Sequence, residues 1–502
     1  MASAWRARGV RRLFRVSADA TIHAMPGDGP ELRWVGKRPL TAVPDPPARL
    51  EQSFGAGRSV CDELYCGENL EVLGHLRRRF RGRVDLIYLD PPFNSQADYK
   101  RTIRLRGPGA PALKYAHTQY TDNRSGDDYL QFMYERLIVC RELLSETGAL
   151  FLHCDWHQSH RLRCILDELF GADMFQNELV WHYYNKLQGN VGRFAANHDT
   201  LLFYAKSTSF AFNRIRERRE QPVKQIKRVW SKAKGAIVNA KGPDGKITYL
   251  TSTHKTIDDV WRLSMLQPAD RREAVGYPTQ KPEALLERIL MAASRPGDLV
   301  LDPFMGSGTT GAVALKLGRR FVGADLSRSA VHTTLRRLLR IREAIDEGGA
   351  ALVIKNGLDR SEADQPAAPL GPAGINVYRV GEGVGEGVVG EREPARDAQA
   401  ELVLDGSRLR VLRFRSPALL RALGLESDDH LDWRALVDSI FIDLNYDGEV
   451  LRPSVSDMPA RDQQVRGAYE LPGSAVLGTI GVCIVDLLGD AWIGVRTAQK
   501  WR

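Results

Sequence analysis

The stretch from Leu299 to Asp325 constrains the fold more than any other part of the chain. It reads as an apolar strand, Leu299-Val300-Leu301-Asp302, then a turn, Pro303-Phe304-Met305-Gly306-Ser307-Gly308, and a helical stretch from Thr309 to about Leu317. A second strand, Phe321-Val322-Gly323-Ala324, follows and ends in Asp325. Strand, glycine turn, helix, strand and terminal acid form the unit of an open α/β sheet, which places its ligands at the carboxyl ends of its strands. Gly306 and Gly308 let the backbone approach a ligand, Thr309 is positioned to cap the helix, and Asp325 to hold a ribose diol. Gly306, Gly308 and Gly311 also satisfy the dinucleotide fingerprint, so a nicotinamide-dependent oxidoreductase stands as one reading.

A second strand end carries different chemistry. The apolar run Val84-Asp85-Leu86-Ile87-Tyr88-Leu89 reads as a buried strand and leads into Asp90-Pro91-Pro92-Phe93. Two successive prolines remove two backbone donors and fix φ, so the carbonyls of Asp90 and Pro91 are held stiffly as acceptors. Phe93 adds an aromatic plane. Acceptors beside a stacking face suit the exocyclic amino group of a nucleobase, and the oxidoreductase reading leaves this tetrapeptide without a task.

Together, these two stretches resemble the DNA amino-methyltransferases that use S-adenosylmethionine. That family pairs Asp-Pro-Pro-Phe/Tyr with Asp-Pro-Phe-x-Gly-Ser-Gly-Thr-Thr. Here the catalytic motif precedes the cofactor motif, the order of the family's β arrangement. Leu64-Tyr65-Cys66-Gly67-Glu68-Asn69-Leu70 is similar to the family's Gly-Asp-Asn-Leu segment, with Glu68 in place of the usual Asp, and Thr279-Gln280-Lys281-Pro282 to its Gln-Lys-Pro motif. The resemblance covers about residues 60 to 340. It implies an α/β fold, a doubly wound Rossmann-like methyltransferase sheet with an inserted DNA-recognition region. It also implies methyl transfer to an amino group of a flipped base in double-stranded DNA: adenine N6 first, because Asp opens the motif, with cytosine N4 as the alternative. Asp90, Pro91, Pro92 and Phe93 would serve the base. Asp302 and Phe304 would line the methionine end of S-adenosylmethionine, Gly306, Gly308 and Thr309 the turn beside it, Asp325 the ribose, Glu68 and Asn69 the adenine side, and Gln280 and Lys281 the methionine carboxylate. Carbon-5 cytosine methylation is disfavoured, since it needs a thiolate, usually in a Pro-Cys pair, and none of the six cysteines follows a proline.

The chain of 502 residues is long enough for two or three domains, and 43% apolar content is ample for their cores. No apolar run is long enough to cross a membrane. The net charge of +9 favours a polyanionic partner. Six scattered cysteines do not make a disulfide framework, which points to a reducing compartment, and the motifs to a bacterial cytoplasm. Five arginines before Asp19 read as a disordered basic start within an N-terminal extension, residues 1–58.

The methyltransferase domain is expected over residues 59–345. Asp127 to Glu146 has helical periodicity, and Gly148-Ala149-Leu150-Phe151-Leu152 reads as a strand. His153, Cys154, Asp155, His157 and His160 straddle its exit without a zinc spacing, so no metal is expected. An insert over about residues 205–275 carries Arg214, Arg216, Arg218, Arg219, Lys224, Lys227 and Arg228, interleaved with Trp230, Tyr249 and Trp261. Such cations would neutralise phosphates while the aromatic groups stay available for bases. Residues 346–400, rich in Pro and Gly, read as a linker, and residues 401–502 as a small β-rich C-terminal domain. There, Asp443-Leu444-Asn445-Tyr446-Asp447-Gly448 begins like a calcium loop but has Ser454 at the twelfth position, so a hairpin turn is expected. A restriction subunit and a second copy of the chain stand open as further partners.

Overall fold

The computed structural model describes residues 31–55, 60–93, 98–107, 114–121, 125–186, 189–190, 192–267, 270, 273–347, 358–359, 374–381, 397–425, 427–428, 430–472 and 478–497. The basic start and most of the Gly-rich stretch after Gly381 lie outside them. In chain order the strands of the first half are β1 (Ala48–Phe54), β2 (Cys61–Cys66), β3 (Val84–Leu89), β4 (Asp98–Arg104), β5 (Lys114–Thr121), β6 (Leu144–Cys154), β7 (Phe175–His182) and β8 (His198–Ala205). The insert supplies β9 (Arg216–Ile226), β10 (Arg228–Ser231), β11 (Ala236–Asn239), β12 (Tyr249–Thr256) and β13 (Val260–Arg262). Then come β14 (Leu299–Asp302), β15 (Arg320–Asp325), β16 (Leu358–Asp359) and β17 (Gly374–Val380).

Ten of these strands form one sheet in the order β1-β17-β2-β15-β14-β3-β6-β8-β7-β13. From β17 to β6 every pair is parallel, whereas β1, β8 and β7 each join antiparallel to a neighbour. Parallel strands are buried on both faces, and the sequence alternation shows how. Leu86 and Tyr88 pack on one side with helices α4 (Glu283–Ala293), α5 (Thr309–Lys316) and α6 (Arg328–Asp346). Ile87 and Leu89 pack on the other with α1 (Asn69–Phe80), α2 (Gly126–Leu143) and α3 (Ser159–Phe170). The sheet is doubly wound. Each fully buried leucine of these layers contributes about 2 kcal/mol.

Two regions depart from the sequence expectations. The sheet takes β1 from the expected N-terminal extension and β17 from the expected linker, and β17 runs parallel to β2 over six residue pairs. Together they extend a sheet that would otherwise end at β2, with β1 as its edge, so backbone pairing decides their structure where composition suggested loops. The insert, too, is not wholly separate: β12 and β9 form a small sheet that β16 of the expected linker joins, β10 and β11 form another, and β13 pairs with β7 of the main sheet. Trp261, counted among aromatic groups available for bases, lies in β13 and is buried, its indole N–H donating to the Asp258 carbonyl at 2.8 Å. Trp230 and Tyr249 are exposed.

The C-terminal part contains β18 (Gln399–Asp405), β19 (Arg408–Arg415), helix α7 (Pro417–Leu423), β20 (Val437–Asp443), β21 (Val455–Asp457), β22 (Ala468–Glu470), β23 (Thr479–Asp486) and β24 (Ala491–Thr497). They form the sheets β18-β19-β22 and β21-β20-β23-β24. This part packs firmly on the first. Asp438 is buried among Arg106, Arg336 and His332, whose charges hold its carboxyl well below the usual range despite burial that pushes it up. The carboxylates of Asp443 and Asp447 accept from nearby backbone amides and from Arg452 within the turn that links β20 to β21. Among the described residues, no helix is long and apolar enough to cross a membrane.

Candidate active site

β3 and β14 are neighbours in the parallel run, and Val300 and Leu301 pair with Leu86 and Ile87. Register therefore brings the carboxyl ends of both strands, Asp90 and Asp302, to one edge. Asp325 ends the next strand over and pairs with Cys66 at the end of β2, which brings Glu68 and Asn69 to the same edge. The residues that sequence places at one cleft are thus assembled from four parallel strands, at the position where open α/β sheets bind ligands.

Around the glycine turn, the Asp325 carboxylate accepts from the Gly306 amide at 2.9 Å and from Ser327 at 2.8 Å. Gly308 adopts φ +71 and is itself the N-cap of α5. Thr309 was expected to cap but is the first helical residue. Its hydroxyl donates to the Lys281 carbonyl at 3.2 Å and accepts from Arg337 at 3.0 Å, which ties the turn to the Gln-Lys-Pro segment. Glu68 caps α1 through Leu70 and Glu71 and pairs with Arg136, which also donates to Asn69 at 2.5 Å. Gln280 uses both ends of its amide within its own loop, accepting from Val275 and donating to Glu273.

Lys281 lies on Asp90. Its ammonium stands 2.7 and 2.9 Å from the two carboxylate oxygens and 5.3 Å from the centre of the Phe93 ring. Behind Asp90 is a group that sequence reasoning weighed only as a metal ligand: His153, on β6, with Nδ1 3.8 Å from Asp90 and 2.8 Å from the Tyr88 hydroxyl, and Nε2 3.1 Å from Asp199. Asp199 also accepts from Tyr183 at 3.2 Å. Lys281 is 191 positions from Asp90 and Asp199 is 46 from His153, and neither separation carries a local signal.

Asp302 is fully buried, accepting from Thr310 at 2.6 Å and Phe304 at 3.0 Å. Burial pushes its carboxyl up to about 7; those two donors oppose the shift and the charges of Asp90 and Asp325 add to it. The native state therefore holds a proton that the unfolded chain has released between about pH 4 and pH 7. Stability from this group falls as pH rises through that window and is level above it. Asp302→Asn, which keeps the shape and can satisfy both partners, escapes this loss. Its melting temperature relative to wild type should rise by a few degrees between pH 5 and pH 8; thermal melts showing a constant difference would contradict the shift.

The family model for DNA methylase matches residues 84–336, about half of the chain, and spans both motifs. The chain belongs to the DNA amino-methyltransferase family. This methyltransferase is 28% identical over 276 residues to the type II methyltransferase M.HpaI of Haemophilus parainfluenzae, a match covering 55% of this chain and 73% of the relative. It is 30% identical over 303 residues to type II methyltransferase M.EcaI of Enterobacter cloacae, covering 51% and 64%. Among solved structures it is similar to the M1.HpyAVI–SAM complex, with 22% identity and a TM-score of 0.34, over 55% of this chain and 98% of that one. It is also similar to the cytosine-N4-specific PvuII DNA methyltransferase, with 15% identity and a TM-score of 0.35, over 60% and 97%.

Proposed function

We propose that this methyltransferase transfers a methyl group from S-adenosylmethionine to the N6 amino group of an adenine flipped out of double-stranded DNA at a defined site. The type II relatives support a modification role in a restriction system. The reading rests on Asp90-Pro91-Pro92-Phe93 standing at the end of β3, beside the Asp302 to Gly308 turn on the adjacent strand.

The residues fit the cofactor. Asp302 and Asp325 end neighbouring parallel strands, and the turn that follows Asp302 has glycine at 306 and 308, both at positive φ, so its backbone can approach a ligand. When bound, S-adenosylmethionine supplies a methyl group on a cationic sulfur. Asp302 and Phe304 would face its methionine end, Asp325 the ribose, and Glu68 or Asn69 the adenine. Asp90 and the Pro91 carbonyl accept the two protons of the target amino group, which draws the nitrogen from planar toward tetrahedral geometry and frees its lone pair. Phe93 stacks on the base. Lys281 holds the place on Asp90 where the amino group docks, so it must swing away, and a methionine carboxylate gives it a second anion to reach.

The insert would meet the DNA. Arg214, Arg216 and Arg218 alternate with Ile215, Glu217 and Arg219 along the chain and are exposed, as are Lys224, Lys227 and Arg228. Arg219 faces the other way and donates to the His254 carbonyl, while Glu217 anchors the strand through Lys255 at 2.8 Å and Arg288 at 2.6 Å. Neutralising Arg214, Arg216 and Arg218 together should weaken DNA binding and lower the slope of log affinity against log salt by up to about 3, leaving S-adenosylmethionine binding intact. Arg219→Gln should do less. Binding isotherms with unchanged slopes would make this run a solvated face.

Adenine is favoured because Asp opens the motif, the form that in the resembling family goes mostly with adenine, whereas Ser goes mostly with cytosine. Mass analysis of nucleosides from DNA treated with the purified protein should find N6-methyladenine. N4-methylcytosine as the sole modified nucleoside would overturn the assignment.

A further inference from the structure

His153 has no solvent exposure, yet its ring bridges two carboxylates on different strands. Trp181 and Phe93 close its other sides, with ring centres at 5.7 and 5.5 Å. The charged and titratable groups facing it are Tyr88 and Asp90 from the β3 side and Asp199 from β8, with Lys281 beyond Asp90 and Tyr183 beyond Asp199. With Nε2–H donated to Asp199, Nδ1 of the neutral ring accepts from the Tyr88 hydroxyl at 2.8 Å, and Asp90 stands next to that contact at 3.8 Å from the same nitrogen. The two ring nitrogens thus face different carboxylates, Nδ1 that of Asp90 and Nε2 that of Asp199.

Resting on the function proposed above, we infer that His153, oriented by Asp199, is a positioning residue that acts through Asp90 and takes up the proton leaving the methylated nitrogen. As the nitrogen lone pair becomes the new N–C bond and the electron pair of the donor's C–S bond goes to sulfur, the nitrogen gains positive charge and must shed one proton in the same step. Its N–H bond breaks and an O–H bond forms on Asp90. Once the Tyr88 hydroxyl turns its hydrogen off Nδ1, that proton passes from Oδ1 of Asp90 to Nδ1 of His153, so the O–H bond breaks, an N–H bond forms and Asp90 is again a carboxylate. Closing the 3.8 Å gap to hydrogen-bond length takes about 1 Å of movement, within reach of a rotation of Asp90 once Lys281 has left it. The imidazolium faces Asp199. Burial pushes that carboxyl up, but the His153 hydrogen bond and charge, with Lys281 and Tyr183, hold it below the ordinary value, so it stays an anion. Tyr88 keeps its own proton, held far above the ordinary phenol range by burial and by the charges of Asp90, Asp302 and Asp199. Its hydroxyl can donate to the neutral ring and accept from the charged one.

The rival is direct loss of the proton from Asp90 to water, and single-turnover methylation measured across pH separates the two. Full-length protein in excess over unmethylated DNA should show a rate that falls on the acid side. His153→Asn should slow transfer about a hundredfold and remove that acid limb, with S-adenosylmethionine affinity unchanged by calorimetry. Asp199→Asn should retain the limb but move it to lower pH, because the imidazolium loses its carboxylate. Should His153→Asn fail to fold, Asp199→Asn decides alone. An unchanged rate in folded His153→Asn, a slowing that is equal at every pH, or an unmoved limb in Asp199→Asn overturns the inference. A wild-type protein that methylates no DNA at all would instead remove the function on which it rests.

Discussion

Asp90→Ala is expected to lower methylation by about a thousandfold or more while leaving S-adenosylmethionine affinity unchanged. The carboxylate lies at the end of β3, on the neighbouring strand to the Asp302 turn, so it can act on the target nitrogen without taking part in the glycine turn that would hold the cofactor. The substitution has a structural consequence as well. Lys281, about one-tenth exposed, loses its ion-pair partner, which should destabilise the protein by about 1–3 kcal/mol. Asp90→Asn separates these effects. The amide preserves the volume and one acceptor for Lys281, so the melting temperature should recover most of the loss, while methyl transfer stays slow because a neutral acceptor polarises the amino group weakly and cannot take its proton. Calorimetric titration of both variants with S-adenosylmethionine checks the division of roles. Loss of cofactor affinity in step with loss of methylation would remove Asp90 from the target side of the reaction.

How far the site could be foreseen depended on how local its chemistry is. Asp90 and Asp302 each follow an apolar strand and precede a turn made by proline or glycine, so a few adjacent residues disclose both the strand end and the acceptor. The two strands become neighbours through long-range pairing, and the glycine turn, helix and acid of the Leu299 to Asp325 unit were enough to imply the parallel sheet that does this. His153 was different. It falls at the exit of the strand read over Gly148 to Leu152, where it and Cys154 were weighed only as metal ligands, and its partner Asp199 lies near the start of a strand that joins antiparallel. Lys281 likewise carried a role toward the cofactor by resemblance, and only folding sets its ammonium on Asp90. β17 was hidden for another reason: seven residues between proline-rich and glycine-rich stretches cannot raise the local composition to that of a strand, and the free edge of β2 supplies what the sequence lacks. Trp261 shows the converse. Interleaved with cations it resembled a base-contacting group, but β13 returns to the sheet and buries it.

The two glycines of the turn proposed to hold the cofactor should fail in different ways. Gly306 has φ +47, and a side chain added there would first meet the edge of the Tyr277 ring at 3.3 Å, a contact that can yield by a few tenths of an ångström. Gly308 has φ +71, and its added side chain would meet Thr334 of α6 at 2.5 to 2.9 Å, inside van der Waals contact. Left-handed backbone penalises any L-residue by about 1–2 kcal/mol, and a β-branched one more. At Gly306 a small shift of the turn can relieve that strain, because the nearest obstacle is the edge of a side-chain ring and not backbone. Movement, however, drags the amide that donates to Asp325 and the carbonyl that accepts from Thr334. Gly306→Val should therefore fold with a melting temperature only a few degrees lower and bind S-adenosylmethionine more than about tenfold more weakly, a loss of roughly 1.4 kcal/mol or more. Gly308→Val adds overpacking against α6, about 1–3 kcal/mol, to the backbone strain at the start of α5, so its larger effect should be on the melting temperature. Titration calorimetry and thermal melts on the pair distinguish a ligand cradle from a packing joint. Wild-type cofactor affinity in Gly306→Val would show that the turn does not form the cofactor site, whatever happens to stability.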